Sequence, residues 1–251
     1  MLLGRVKSVH DPRMLNIQDY VALDTLPVPP THEMLSRTSS WPMLANNKFP
    51  CCTSAAAGHM VHHWTEANQL DIVLTDNDII QAHSLLTGGK TDQAVSMLDA
   101  LKFWRNTGIG DHKIHSFMSA GHAKIDTLRA LIYLFGAAYI GLDLPNFAVK
   151  GTPAQILETP WQISPTVSPE DAAPQLSNGH CVAVIGYDEN VAYAVTWGTL
   201  KTMSWDFFTR YTDEVFAVLS MDWVKDKASP TGFDLSTLEH DLSLVTSAPL
   251  Q

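Results

Sequence analysis

The sequence predicts an α+β protein. Three observations carry that reading. Helical periodicity gathers before residue 136, short apolar runs bounded by turn residues gather after residue 179, and the two do not alternate as a doubly wound sheet requires. The composition, 45% hydrophobic and 17% charged, excludes collagen-like, coiled-coil and fully disordered chains. With 251 residues the chain is long enough to bury a sizeable core.

Residues 1–40 lack strong periodicity and hold Pro27, Pro29 and Pro30, so they read as an arm wrapping the domain. Pro50 precedes an Ala-rich stretch that opens at Cys52, which predicts the first helix. A second helix is expected over 76–86, ended by Gly88 and Gly89. The third is expected over 92–104, where Ala94, Val95, Leu98, Leu101 and Trp104 recur at helical spacing. A fourth covers 125–135, and 137–142 follows as a buried strand. The Pro-rich stretch 145–174 reads as a long surface loop.

From His180 the texture changes. Residues 181–187 form a compact apolar run closed by Asp188, Glu189 and Asn190, and 191–196 supplies the hairpin partner. Further strands are expected over 199–203 and 215–220, with a helical turn at 205–211 between them. The segment from Asp226 returns to an irregular polar mix. The expected organisation is an N-terminal arm (1–40), one domain (41–225) and a C-terminal tail (226–251).

The formal net charge is -10, from 26 acidic and 16 basic residues, without a basic cluster. Such a chain is a poor partner for nucleic acid or an anionic membrane. The longest apolar run, 130–142, is too short to span a bilayer. The opening residues lack the apolar stretch and cleavage site of a signal peptide. Three cysteines, Cys51, Cys52 and Cys181, are too few for a disulfide scaffold, which points to the reducing cytoplasm or a particle assembled there.

A thiol becomes a nucleophile as thiolate, favoured by a helix N-terminus and a nearby imidazolium. Cys52 stands where the Ala-rich helix should begin, and His180 opens the apolar strand. Alone, a distant Cys and His read as a structural thiol and an unrelated imidazole. Asn46, six positions before Cys52, changes this, because acyl transfer to sulfur creates an oxyanion that needs a pre-placed donor. Cys51 serves as nucleophile instead if the helix starts one residue earlier. Cys181 follows His180 on a strand, points to the other face and reads as a core thiol.

These residues resemble the papain-like thiol peptidases. Asn46, Cys52, Gly179-His180, Gly186-Tyr187 and Trp197-Gly198 stand where that superfamily has its amide, its nucleophile, the Gly-His before an apolar strand, the Gly-Tyr closing it, and a Trp-Gly after the next strand. The likeness covers about residues 41–224. It implies a helical half carrying the cysteine, an antiparallel β half carrying the histidine, and a cleft between them. Trp41-Pro42-Met43-Leu44-Ala45-Asn46-Asn47 and Val195-Thr196-Trp197-Gly198 are similar to little-characterised bacterial and phage-encoded members, with Ala45, Asn47, Pro50 and Cys51 as departures.

The family's orienting Asn, two residues before the Trp, is Val195 here, and Thr196 is the replacement candidate. The resemblance then implies Cys52 as nucleophile, His180 as base and acid, Asn46 as oxyanion donor, Thr196 as orienter and Trp197 as shield. The substrate would be a peptide or protein, with no cofactor and no metal. The alternative is a papain fold kept as a weak or inactive binding or structural part, virion-associated if phage-encoded, with assembly contacts through its arms.

Other clusters read as structural. His59 and His63 share a helix face but lack the acidic partner of a zinc motif. His112, His115 and His122 have no fixed ligand spacing. Gly88-Gly89-Lys90-Thr91 lacks the spacing of a phosphate loop. Asp206, Asp213, Glu214 and Asp222 are expected to form a solvated rim over an apolar strand.

Overall fold

The computed structural model describes residues 1–19, 21, 26–32, 40–121 and 124–224. The expected tail 226–251 and His122 lie outside them. In chain order the elements are β1 (Arg5–Val6), α1 (Cys52–Ala67), α2 (Asp76–Leu86), β2 (Val95–Ser96), α3 (Met97–Asn106), β3 (Ile114–Ser119), α4 (Ile125–Phe135), β4 (Ala138–Asp143), α5 (Asn146–Val149), α6 (Pro153–Glu158), β5 (Gly179–Tyr187), β6 (Val191–Thr196), β7 (Thr199–Ser204), α7 (Trp205–Tyr211) and β8 (Thr212–Ser220).

Six strands form one sheet in the order β3-β8-β4-β5-β6-β7, with every neighbouring pair antiparallel. The helices α1, α2 and α3 pack on one another, and α1 lies against β5. This is the expected segregation of helices and strands. All nine residues of β5 are buried, which is why its sequence is a continuous apolar run instead of an alternating one. α1 is likewise buried from Cys52 to Thr65, and Gly58 lets Leu44 and Ile79 of α2 close on it.

Aromatic groups tie the halves together. Trp64 on α1 donates its indole N–H to the Phe135 carbonyl at the end of α4, and its ring stacks on Trp104 of α3. The Tyr139 hydroxyl on β4 donates to the Thr53 carbonyl in the first turn of α1. That bond fixes the start of the helix against the sheet.

Two expectations need correction. Residues 92–96 are not helical: Ser96 caps α3 through the Asp99 N–H, and Val95 pairs in parallel with Arg5. The stretch 145–174 is not wholly irregular, because α5 and α6 lie in it. Thr152 and Gln155 form a capping box with Pro153 at the first helical position. The strand β3, at the sheet edge, went unanticipated.

Gly136 ends α4 in the left-handed conformation, φ 75°, and a Cβ there would lie 2.5 Å from the buried indole of Trp223. Gly136→Ala is therefore expected to cost about 2–4 kcal/mol, combining backbone strain with overpacking. The urea midpoint of unfolding measures this.

Candidate active site

Cys52 is the first residue of α1 and is buried. Cys51, at the N-cap, turns its thiol to the Leu44 carbonyl at 3.6 Å, away from β5. Cys52 instead faces the sheet, with the backbone N–H groups of Cys181 and Gly4 on its sulfur. In the sheet Cys181 pairs with Gly141 on β4.

Asn46 is held by a tight loop. Leu44 and Ala45 both have positive φ, 50° and 57°, and Asp76 accepts the Ala45 N–H at 2.8 Å. Ala45 thus occupies a conformation that glycine adopts more readily. The Asn46 side-chain amide donates to the carbonyls of Leu2 at 3.3 Å and Phe49 at 3.2 Å.

His180 is fully buried near the start of β5. Its Nε2 lies 2.6 Å from Thr196 Oγ1, while its Nδ1 has no hydrogen-bond partner. Trp197 stacks on the imidazole, centroids 4.4 Å apart and planes 23° apart. The stacking follows from the turn. Thr196 and Thr199 pair across a two-residue loop in which Trp197 and Gly198 have φ of 49° and 72°, the signature of a type I′ hairpin. Trp161, from the stretch after α6, meets both His180 and Trp197 edge-on. It went unremarked in the sequence because it sits in a Pro-rich segment without periodicity.

The cleft is filled by the chain itself. The Leu2 carbonyl accepts from Asn46 and from the Trp197 indole N–H, and the Leu2 N–H donates to the Asn46 carbonyl. Gly4 lies on Cys52, and its carbonyl accepts from the Val95 N–H. A Cβ at Gly4 would overlap the Pro50 carbonyl, so only glycine passes here. Arg5 follows, buried under β5. Its Nη2 donates to Asp143 at 2.6 Å, and its Nη1 lies 2.5 Å from Glu214 and 2.8 Å from Asp213.

Asp213 and Glu214 are therefore not a solvated rim. Their side chains are 16% and 11% exposed and close around a buried cation. Burial opposes the Arg5 charge, but Asp213 and Glu214 outweigh it and hold the guanidinium protonated. Burial and the neighbouring Asp213 charge push the Asp143 carboxyl up.

With the arm seated, the thiol and imidazole are both neutral. Burial pushes Cys52 up to about 11, against the opposing N–H groups of Cys181 and Gly4 and the Arg5 charge. Burial, with the Arg5 cation and the neighbouring His59 imidazole adding to it, lowers His180 to about 3. Both shifts favour S–H and free imidazole over the ion pair.

Among the described residues no group of three or more His, Cys, Asp or Glu could hold a metal ion. His59 instead bonds the Pro42 carbonyl at 2.9 Å, and His112 bonds Asp222. No helix among them is long and apolar enough to cross a membrane.

Neither a family model nor a curated protein matches this sequence. Solved structures do match the fold. Xylellain, a cysteine protease from Xylella fastidiosa, superposes with a TM-score of 0.65 at 14% identity, over 87% of this chain and 96% of that one. The cysteine protease and lectin-like domains of Cwp84, a surface layer associated protein of Clostridium difficile, give 0.59 at 11% identity, over 87% and 56%. A cysteine protease of Carica candamarcensis in complex with E-64 gives 0.54 at 11% identity, over 77% and 99%. The fold of this chain is that of the papain-like cysteine proteases.

Proposed function

We propose that this chain is a cysteine peptidase-like hydrolase whose thiolate attacks an amide or isopeptide carbonyl, held latent by its own residues 2–5. The observation that supports this reading most directly is the buried His180 ring. One nitrogen is fixed on Thr196 and the other is left unpaired, while Trp197 covers the Thr196 contact. In this reading Nε2 donates to Thr196, which leaves the lone pair on Nδ1.

Once the arm leaves, Nδ1 takes the Cys52 proton. The sulfur then bonds to the substrate carbonyl carbon, and the oxyanion meets the Asn46 amide and the Cys52 backbone N–H. The imidazolium protonates the departing amine as the C–N bond breaks. Water hydrolyses the thioester with His180 again as base, and the thiol is regenerated. Leu2 supports the Asn46 assignment, since its carbonyl already takes the donor that a substrate oxygen would use.

Thr196 is a positioning residue in this reading. Thr196→Val should lower kcat about 10- to 100-fold, the usual scale for a group that orients another, with KM little changed. The pH profile should shift with it, and Thr196→Ser should restore both. An unshifted profile would remove Thr196 from the mechanism.

The runner-up is a papain-fold binding part without catalysis, the virion component of the phage-encoded group that the Trp41 and Trp197 motifs resemble. The filled cleft and protonated thiol favour it as much as they favour latency. Hydrolysis of a peptide library by a chain whose arm has been displaced separates the two. Turnover that vanishes in Cys52→Ala supports the hydrolase, and its absence supports the binding part.

A further inference from the structure

We propose that Lys201 is a positioning residue for the catalytic imidazole: its ammonium locks the end of α6, and with it Trp161, over the His180–Thr196 bond. This rests on the peptidase reading above and adds a residue to the machinery of that same site.

Lys201 lies on β7 and is only 2% exposed. Its Nζ donates to the carbonyls of Ile156 at 2.7 Å, Leu157 at 3.0 Å and Thr159 at 2.8 Å. These carbonyls stand at the end of α6, where they lack helical partners and the helix dipole is negative. An ammonium has three N–H donors, and the three carbonyls take all of them. Burial pushes Lys201 down to about 8, which leaves it charged at pH 7.

The elements packed on β7 are β6, α6 and α7. β6 carries Tyr193 and no charged side chain, while Glu158 of α6 and Asp206 and Arg210 of α7 are exposed. Among the described residues no carboxylate pairs with Lys201. A buried cation without a counter-ion is costly, and a methionine would fill the same space more cheaply. The use of the charge therefore lies in what it holds.

What it holds is Trp161. Only Pro160 separates the last of the three carbonyls from that residue, whose backbone bonds Thr202 and Ser204 of β7 at 2.9 Å each. Lys201 Nζ lies over the Trp161 ring, 5.6 Å from its centroid, and Phe207 stacks on the same ring. The ring so held meets His180 at 6.4 Å and Trp197 at 6.2 Å, both edge-on. Trp161 and Trp197 together keep water from the Thr196 bond that orients the imidazole. Without the ammonium, water solvates the three carbonyls, α6 loosens, and the Trp161 ring loses a contact that sets its angle.

The test places Lys201→Met in the otherwise unaltered chain and follows the ring N–H of His180 by NMR at pH 7. Exchange of that proton with water should become at least about 10-fold faster, while the backbone amides of β5 exchange as before. Unchanged ring exchange overturns the proposal. Equal acceleration of the ring and the β5 amides also overturns it, because Lys201 would then only stabilise the fold.

In the open Gly4→Ala chain, Lys201→Met should lower kcat about 10-fold with KM little changed. A loss confined to KM would place Lys201 in substrate binding and overturn the assignment. Faster ring exchange without turnover in either chain keeps Lys201 as the group that orients the imidazole and discards the hydrolase. If Lys201→Met does not fold, the uncharged and shorter Lys201→Gln takes its place, and each outcome is read in the same way.

Discussion

Gly4→Ala is expected to raise the rate at which a small alkylating reagent labels Cys52 at pH 7 by roughly 1000-fold, because the thiolate is the reacting species. In the intact chain the thiol sits at about 11, so only a small fraction is ionised at neutral pH. The added methyl has no room beside the Pro50 carbonyl, so the backbone of residues 2–5 must leave the cleft. Water then reaches Cys52 and His180, and the burial that raises one group and lowers the other is relieved.

The signs follow from the causes. Loss of burial lowers the thiol and raises the imidazole. Departure of the Arg5 cation raises the imidazole further and slightly opposes the fall of the thiol. Both groups therefore move toward an ion pair, aided by the free N-terminus of α1, whose N-cap Cys51 makes no side-chain cap. In the intact chain labelling should instead climb steadily with pH toward about 11. Peptide-resolved mass spectrometry separates Cys52 from Cys51 and Cys181. Labelling of Cys52 that stays as slow after Gly4→Ala would mean that the arm does not control the thiol.

Cys52→Ala, placed in the same open chain, should lower hydrolysis by roughly 10000-fold or more, the scale seen when a nucleophile is removed. Cys51→Ala should leave the rate nearly unchanged. The two cysteines are adjacent, yet their sulfurs diverge. Cys51 is directed to the Leu44 carbonyl on the loop side, and burial, with Cys52 nearby, pushes it up to about 12. Its loss should cost about 1 kcal/mol of packing at most. Equal loss of turnover from both substitutions would contradict the assignment.

Much of this site was legible because its parts are local. Asn46, Cys52 and the helix that begins between Pro50 and the alanines lie within one short stretch. His180 is announced by the apolar run it opens, and Trp197-Gly198 by its likeness to the family's Trp-Gly, which the structure sets in a two-residue hairpin turn. Thr196 entered as the orienter that the family resemblance implies where Val195 offers no hydrogen-bonding group.

What the sequence hid is long-range. Arg5 meets Glu214 across a separation of 209 residues, and a two-residue strand such as β1 carries no periodicity to betray its pairing. Asp213 and Glu214 look solvated for that reason, since a carboxylate reads as surface until its buried cation is known. Ala94 and Val95 fall at helical spacing with Leu98, Leu101 and Trp104 by chance, whereas Ser96 is the cap at which α3 begins. Edge strand β3, with His115, Ser116 and Ser119, lacks the apolar density that marks β4 and β5.

The central claim is that Cys52 and His180 form one reactive unit beneath a removable strap. The pH dependence of Cys52 alkylation, measured in Gly4→Ala with and without His180→Ala, tests it most directly. The account predicts a thiolate-like rate persisting well below pH 8 in the first chain and lost in the second. A single titration near the ordinary thiol value, identical in both, would contradict it.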